Sequence, residues 1–372
     1  MGSYNQQLKN MNKRERTLAA INHIQPDRPP IYVSLTPQIA EILSAKLGVP
    51  YEEPIDAMES ARISHMELIT KMGADIVAIA PTAPPDGLTI TLPDGKLKNE
   101  WGMIMRNVGI YSEFVEFPLA HASSKQDILN YNFPDPNAAG RYDMAVKMMK
   151  TYSDDYGVIG DVETMFFEMS WYLTGMEKFL VDLMLEEDYQ AQLMDKIMNY
   201  IIVAGKKLIE MGVDILWCGD DFGSQQGMIM DPETWRSVFK PRIKYMFEEF
   251  RKVRPDIRIA WHSCGSILPI IPDFIEIGLD ILNPIQPMAK GMEPSFLKNT
   301  YGKDLTFFGG IDVQQLLPFG NPQIIRDEVR RRVDILGKDG GYIVAPAHNI
   351  QPDTPAENVM AFFDAVINPG YS

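Results

Sequence analysis

Three stretches of the chain share one order of apolar and polar positions. Residues 72–77, 211–216 and 277–282 each follow a helix-like run, contain a Gly, and enter a strand-like run through an Asp between apolar residues. A Gly after a helical pattern is typical of a helix C-terminus, and the apolar run behind it indicates a buried strand. This recurrence of helix, Gly, Asp and strand predicts stacked βα units with parallel strands.

Further apolar runs continue the alternation. Helical patterns separate them, such as residues 232–253, whose apolar residues recur at three- and four-residue steps, and residues 321–337, which end in Gly. About eight strands, each followed by a helix, predict a (β/α)8 TIM barrel, a fold that suits a chain of 372 residues. The additional strand candidates are RPPIYVSL, YGVIGDVE, IRIAWHSC, LTFFGGID and GGYIVAPA.

The stretch from residue 81 to residue 109 departs from this alternation. It contains TITL, then Pro-Asp-Gly, then a second extended run, an order that predicts a hairpin inserted after an early barrel strand. No linker is long or polar enough to divide the chain, so we expect residues 1–372 to form a single domain.

Composition narrows the class of protein. The net charge of −15 argues against nucleic acid and against an anionic membrane surface as partners. No apolar run reaches membrane-spanning length, and the N-terminal residues do not resemble a signal peptide. The chain has two cysteines, Cys218 and Cys264, which indicates a reducing compartment rather than a disulfide framework. These features are typical of a cytoplasmic enzyme.

Two strand-like runs deliver metal-binding side chains at their C-terminal ends. The run IRIAWHSCGSI places His262 and Cys264 there, and GGYIVAPAHN places His348. Nitrogen and sulfur donors from different strand ends suit zinc, and a set of three protein ligands leaves one position open, as in catalytic zinc sites. Cys218 and a carboxylate such as Asp220 or Glu163 could complete or replace this set. The alternative is that these residues only pack at the barrel mouth.

Other polar residues follow the strand runs, where the active sites of such barrels lie. Glu163, Asp220 and Asp221 are candidate catalytic carboxylates, since close carboxylates tend to separate their pKa values and suit acid–base work. The plainer interpretation of Asp220 and Asp221 is that one caps the following helix and the other meets solvent. Gln225 and Asn283 are candidates for orienting a ligand by hydrogen bonds.

Several strings resemble the uroporphyrinogen decarboxylase superfamily over residues 11 to 368. They are NKRERTLAAINHIQPDRPPI, GADIV, WYLTGMEKFL, DPETWRSVFKPRIKYM and GGYIVAPAHNIQPDTPAENV. The resemblance implies a (β/α)8 barrel, in agreement with the strand count. It also implies one of two chemistries, because the superfamily contains porphyrinogen decarboxylases and cobalamin-dependent methyltransferases.

The decarboxylase branch is the weaker match. Its members carry an Arg-rich opening of the type RQAGRY, which grips substrate carboxylates, whereas residues 32–43 here contain no Arg or Lys. The methyltransferase branch is similar in its zinc-binding His-x-Cys pair, matched by His262 and Cys264. Its later Cys ligand corresponds to His348, and His is also a good zinc ligand.

The resemblance therefore implies a zinc-dependent methyltransferase that moves a methyl group between a small methylated substrate and a corrinoid. No Asp-x-His-x-x-Gly string occurs in the chain, so cobalamin is expected on a partner corrinoid protein. Tyr32, Gln225 and Asn283 are expected to contact substrate, and a homodimer is plausible. The alternatives are a uroporphyrinogen decarboxylase-type carboxy-lyase, a decarboxylase of a smaller substrate, and a non-enzymatic binder.

Overall fold

A seven-stranded parallel sheet forms the centre of the molecule in the computed structural model, which describes residues 11–58, 60–109 and 111–369. The strands are β1 (Ile76–Ile79), β2 (Ile90–Thr91), β3 (Leu97–Lys98), β4 (Ile104–Asn107), β5 (Ser112–Glu116), β6 (Gly157–Asp161), β7 (Ile215–Gly219), β8 (Arg258–His262), β9 (Ile281–Ile285), β10 (Thr306–Ile311) and β11 (Tyr342–Pro346). The large sheet has the order β1-β6-β7-β8-β9-β10-β11 and a separate antiparallel sheet has the order β2-β3-β4-β5.

An extended segment, residues 31–35, closes this sheet into a barrel. Ile31 forms a parallel bridge to Val344 and Leu35 forms one to Ile350. On its other side, the carbonyl oxygen of Ile31 accepts a hydrogen bond of 2.9 Å from the backbone nitrogen of Asp75, which precedes β1. The seven strands and this extended segment form the eight-membered wall of the barrel, so the predicted (β/α)8 barrel is confirmed.

Helices alternate with the strands as the sequence pattern predicts. The first begins at a capping box formed by Asn12 and Glu15. The helices are α1 (Lys13–Ile21), α2 (Pro37–Leu47), α3 (Ser60–Ile63), α4 (Met66–Met72), α5 (Lys125–Asn130), α6 (Asp143–Tyr152), α7 (Phe166–Thr174), α8 (Met176–Met184), α9 (Asp188–Glu210), α10 (Pro232–Val238), α11 (Lys240–Val253), α12 (Ile271–Glu276), α13 (Pro294–Tyr301), α14 (Leu316–Phe319), α15 (Pro322–Leu336) and α16 (Ala356–Ile367).

The Asp of each repeated helix-Gly-Asp-strand pattern links its own strand to the neighbouring one by a hydrogen bond at their N-terminal ends. The carboxylates of Asp75, Asp214 and Asp280 accept hydrogen bonds from the backbone nitrogens of Ile31, Val158 and Ile259, at 2.8, 3.0 and 2.8 Å. Each carboxylate also pairs with arginine, namely Arg16 and Arg28, Arg14, and Arg251 and Arg258, respectively. These contacts lie opposite the C-terminal mouth, so we interpret the repeat as stabilising the barrel.

Two apolar layers surround the strands. Side chains such as Ile76, Trp217 and Phe308 fill the barrel interior, and a larger layer lies between the strands and the helices. Among the described residues, no helix is both long enough and apolar enough to cross a bilayer.

Strands β2–β5 form the predicted excursion after β1, and it is larger than the hairpin expected. The Pro-Asp-Gly turn is closed by Leu92, whose backbone donates to Lys96, and two further strands extend the hairpin into a four-stranded sheet. Residues of this sheet line one cavity with residues that follow β1 and β6. The excursion therefore covers one side of the barrel mouth.

Candidate metal centre

Three side chains at the ends of neighbouring strands converge at the barrel mouth. His262 is the last residue of β8, Cys264 follows two residues later, and Asp221 follows β7. One ligand atom from each lies within 4.8 Å of the other two. The Nε2 atom of His262 is 3.4 Å from the Cys264 Sγ atom and 3.6 Å from the Asp221 Oδ1 atom.

Asn283 fixes the orientation of the His262 ring. The Nδ1 atom of His262 lies 2.6 Å from the Oδ1 atom of Asn283, and the Asn283 amide nitrogen donates to the carbonyl oxygen of Phe308 at 3.3 Å. The amide oxygen therefore faces Nδ1, which carries the proton. The lone pair of Nε2 then points to Cys264, as expected for a ligand oriented by a partner behind it.

The backbone around Cys264 is held by side chains of neighbouring strand ends. The Cys264 backbone nitrogen donates to Asp221 Oδ1 at 2.6 Å. The next backbone nitrogen, of Gly265, donates to Gln286 Oε1 at 2.9 Å, and that oxygen also accepts from Gln225 at 2.9 Å. Burial, followed by the negative charges of Asp221 and Glu163, raises the pKa of the Cys264 thiol. A bound cation would offset these charges and favour the thiolate.

A buried charge cluster adjoins these three residues. Arg62 pairs with Asp161 at 2.6 Å and with Glu163 at 3.0 Å, and Trp217 donates its ring N–H to Glu163. Burial and the Glu163 charge raise the pKa of Asp161 despite Arg62. Burial opposes ionisation of Glu163 too, but the positive charge of Arg62 and the hydrogen bond from Trp217 act against it, and the pKa of Glu163 is lowered. Glu163 is therefore an ionised group, with its Oε1 atom 4.0 Å from His262 Nε2.

Two predicted site residues lie deeper than expected. Asp220 is fully buried, and its two carboxylate oxygens accept hydrogen bonds from the backbone nitrogens of Phe167 and Glu168 at 3.0 and 2.9 Å. It thus holds the first turn of α7, a helix that precedes it in the chain, and not the helix that follows, which the plainer interpretation expected it to cap. Tyr32 lies inside the barrel, where its ring centre is 5.3 Å from that of Phe308.

His348 lies beside the cluster and not within the three-residue set. Its ring centre is 6.3 Å from that of His262. Burial lowers the pKa of His348 to about 4, so its imidazole is neutral near pH 7, which is the form that binds metals. The prediction that His348 is the third ligand therefore stays a prediction.

An open cavity of about 520 Å³ lies above the cluster. Cys264, His348 and Gln225 line it, together with Gln286 and Tyr111. A second, very small space of about 30 Å³ lies behind His262 and is lined by Tyr32 and Asn283. Of the predicted polar residues, Gln225 thus faces the open mouth, whereas Asn283 and Tyr32 face the barrel interior.

Sequence reasoning missed Arg62 and Gln286. Arg62 comes from the short helix α3 and carries no strand-end signal, although it is the only arginine between Arg28 and Arg106. Gln286 directly follows β9, so the rule that found Asn283 would have found it too.

The protein is a (β/α)8 barrel that carries a histidine, a thiol and a carboxylate at the C-terminal ends of its strands. The profile of the uroporphyrinogen decarboxylase (URO-D) family matches residues 115–368. The chain therefore belongs to the uroporphyrinogen decarboxylase family, as its sequence strings predict.

Curated relatives come from both branches of this family. The chain is 25% identical over 175 residues to the uroporphyrinogen decarboxylase of Nostoc punctiforme, which covers 46% of each protein. It is 22% identical over 193 residues to the methylcobamide:CoM methyltransferase MtaA of Methanosarcina barkeri, covering 52% of this chain and 53% of the relative. The chain spans about half the length of the curated relatives it matches.

The fold also matches a solved structure over almost its whole length. A methyltransferase from Methanosarcina mazei superimposes with a TM-score of 0.71 and 19% sequence identity, covering 97% of this chain and 100% of the other. At this identity the likeness establishes the shared barrel fold and leaves the chemistry to be argued from the site.

Proposed function

We propose that the protein is a zinc-dependent methyltransferase that moves a methyl group between a small methylated substrate and a corrinoid carried by a separate protein. The observation that carries this proposal is the convergence of Asp221, His262 and Cys264 within 4.8 Å at the barrel mouth. The similarity to a methylcobamide-dependent relative supports the corrinoid partner.

The spacing of the donor atoms suits a tetrahedral zinc ion. With Zn–S near 2.3 Å and Zn–N or Zn–O near 2.1 Å, neighbouring ligand atoms lie roughly 3.4–3.6 Å apart. The His262 Nε2 atom is 3.4 Å from Cys264 Sγ and 3.6 Å from Asp221 Oδ1. The site thus needs little rearrangement to take the ion.

His262 and Cys264 are the proposed central ligands. The distances favour Asp221 as the third ligand, whereas the family resemblance favours His348. Either choice gives three protein ligands and leaves a position open for substrate, as catalytic zinc requires. With His348 as the third ligand the set has one negative charge, that of Cys264, and is less negative than a set with two thiolates, which favours a substrate whose methyl group leaves from oxygen or nitrogen.

Zinc would act as a Lewis acid on the atom that carries the methyl group. The protein's own residues would position it: Asn283 orients His262, and Arg62 keeps Glu163 ionised 4.0 Å from the His262 ring. Gln225 and Gln286 offer amides to the reacting end of a substrate at the metal, on the side of the open mouth. The corrinoid protein would dock over this open face, which Cys264 and His348 line.

A carboxy-lyase is the alternative function, because decarboxylases are among the relatives. Such an enzyme needs cations to hold substrate carboxylates. Arg62 is already paired with Asp161 and Glu163, and the remaining mouth carboxylates would repel a polycarboxylate. A decarboxylase of this kind has no need of metal, so metal content separates the two functions. A catalytic role for Asp221, a cytoplasmic location and a homodimer remain part of our proposal, whereas we propose Asp220, whose carboxylate holds the backbone of α7, as a positioning residue.

Methyl transfer can be tested directly with free cobalamin. Zinc-loaded protein is mixed with cob(I)alamin and a panel of methanol, methylamines, methyl thioethers and methyl aryl ethers, and methylcobalamin formation is followed by absorbance. We expect one class to react, and we expect the His262→Ala variant to be inactive. Activity that survives this substitution, or carbon dioxide release from porphyrinogen, would contradict the proposal.

A further inference from the structure

A further cavity of about 500 Å³, distinct from the open mouth and from the small space behind His262, lies beside the metal centre, under the sheet β2–β5. Its size falls within the range of about 300–1,000 Å³ typical of small-molecule sites. Trp101, Phe114 and Tyr200 contribute aromatic walls, and Ile201 of α9 lines the barrel side. The cavity thus offers apolar, ring-sized space at the C-terminal ends of β1 and β6, where barrels of this kind bind substrates.

Charged groups on the cavity wall are already paired within the protein. The Arg141 guanidinium holds both carboxylate oxygens of Glu100, at 2.7 and 2.6 Å. Asp56 accepts hydrogen bonds from the backbone nitrogen and hydroxyl of Thr89, at 2.7 and 3.0 Å. The wall therefore presents no unpaired cation among these residues, and an anionic ligand would lose hydration without gaining a counter-charge.

Glu163 joins this cavity to the metal centre. It lines the cavity, and its Oε1 atom is 4.0 Å from His262 Nε2. The hydroxyl oxygen of the next residue, Thr164, is buried with no exposed surface, so it is not offered to a ligand in the cavity. The end of the cavity at Glu163 is therefore the end that faces the metal centre.

We propose that this cavity binds the uncharged, ring-sized apolar body of the methyl donor, with its methyl-bearing end at Glu163, towards the metal centre. The apolar walls bind the ring. The role of this ligand as methyl donor rests on the proposed methyl transfer, whereas its binding requires neither zinc nor corrinoid.

Calorimetric titration with two probes of similar size tests the proposal. Methoxybenzene is the neutral probe, and 4-methoxybenzoate adds a negative charge. We expect saturable binding of methoxybenzene, and at least tenfold weaker binding of 4-methoxybenzoate. Equal or tighter binding of the anion, or no saturable binding of methoxybenzene, overturns the proposal.

One matched pair of variants locates the site. Ile201→Phe fills the cavity and should weaken methoxybenzene binding at least tenfold, whereas Ile202→Phe on the same helix, outside the cavity lining, should not. Equal effects of Ile201→Phe and Ile202→Phe in folded protein contradict the assignment.

Zinc content of the same samples keeps the two hypotheses apart. A chain that binds methoxybenzene in this cavity but holds no zinc supports the ligand site and contradicts the proposed methyl transfer. A chain that holds zinc on His262 and Cys264 but does not bind the neutral probe overturns the cavity assignment alone.

Discussion

The Nδ1 atom of His262 lies 2.6 Å from the amide oxygen of Asn283. This contact decides which ring nitrogen is available to a metal, since the proton stays on Nδ1 and the lone pair of Nε2 faces Cys264. Sequence reasoning assigned Asn283 to substrate. Its position behind His262 instead favours a role in positioning the ligand.

Replacing Asn283 by Leu should therefore weaken zinc binding without removing a ligand. Loss of such an outer-shell partner typically costs about 10–100-fold in metal affinity. Competition with a chromogenic chelator measures this, and Asn199→Leu on the exposed side of α9 is the control. Unchanged affinity in Asn283→Leu would show that the contact does not orient the ring.

Substitution of the two cysteines should have opposite effects on the metal site. Cys218 is fully buried in β7 and lies outside the donor cluster, whereas Cys264 belongs to it. In cobalt-substituted protein, Cys264→Ala should abolish the thiolate-to-cobalt charge-transfer absorption. Cys218→Ala should keep it. Loss of the band in Cys218→Ala alone would reassign the thiolate ligand.

The third ligand can be identified by comparing two variants. Asp221→Ala should reduce zinc affinity by more than the roughly 10–100-fold cost of losing an outer-shell partner, because Asp221 Oδ1 is 3.6 Å from His262 Nε2. His348→Ala should reduce it only a few-fold. The reverse order in chelator competition would favour the family's pattern, with His348 as ligand.

Removing the cation from the buried charge cluster should destabilise the fold. Arg62→Leu leaves Asp161 and Glu163 buried without a counter-charge, which typically costs about 3–5 kcal/mol. The exposed pair of Arg106 and Glu113 provides a matched control, since Arg106→Leu should cost about 0–1 kcal/mol. Chemical denaturation measures both, and similar values would mean that Arg62 is not needed to stabilise the carboxylates.

Much of the barrel could be predicted from the sequence because its signals are local. The Gly and Asp of each repeat lie beside the helix end and the strand that they join, so the pattern is visible within six residues. His262 and Cys264 are also two residues apart, and a short segment at a strand end cannot separate them far. This is why the proximity of these two side chains could be predicted from the sequence.

The rest of the site depends on contacts between distant segments. Arg62 reaches Asp161 across 99 residues of chain, and no periodic pattern marks it. Asp220 and Asp221 are adjacent in sequence, yet one anchors the backbone of α7 and the other faces His262. Alternate side chains at a strand end point in different directions, so sequence alone could not assign their roles.

The central claim is that His262 and Cys264 hold a catalytic zinc ion. Plasma mass spectrometry of the purified protein, together with His262→Ala and Cys264→Ala, tests it most directly. The account predicts about one zinc per chain in the wild type, as expected for a site with three protein ligands, and loss of zinc in both variants. A zinc-free wild type after zinc is supplied, or full zinc content in either variant, would contradict it.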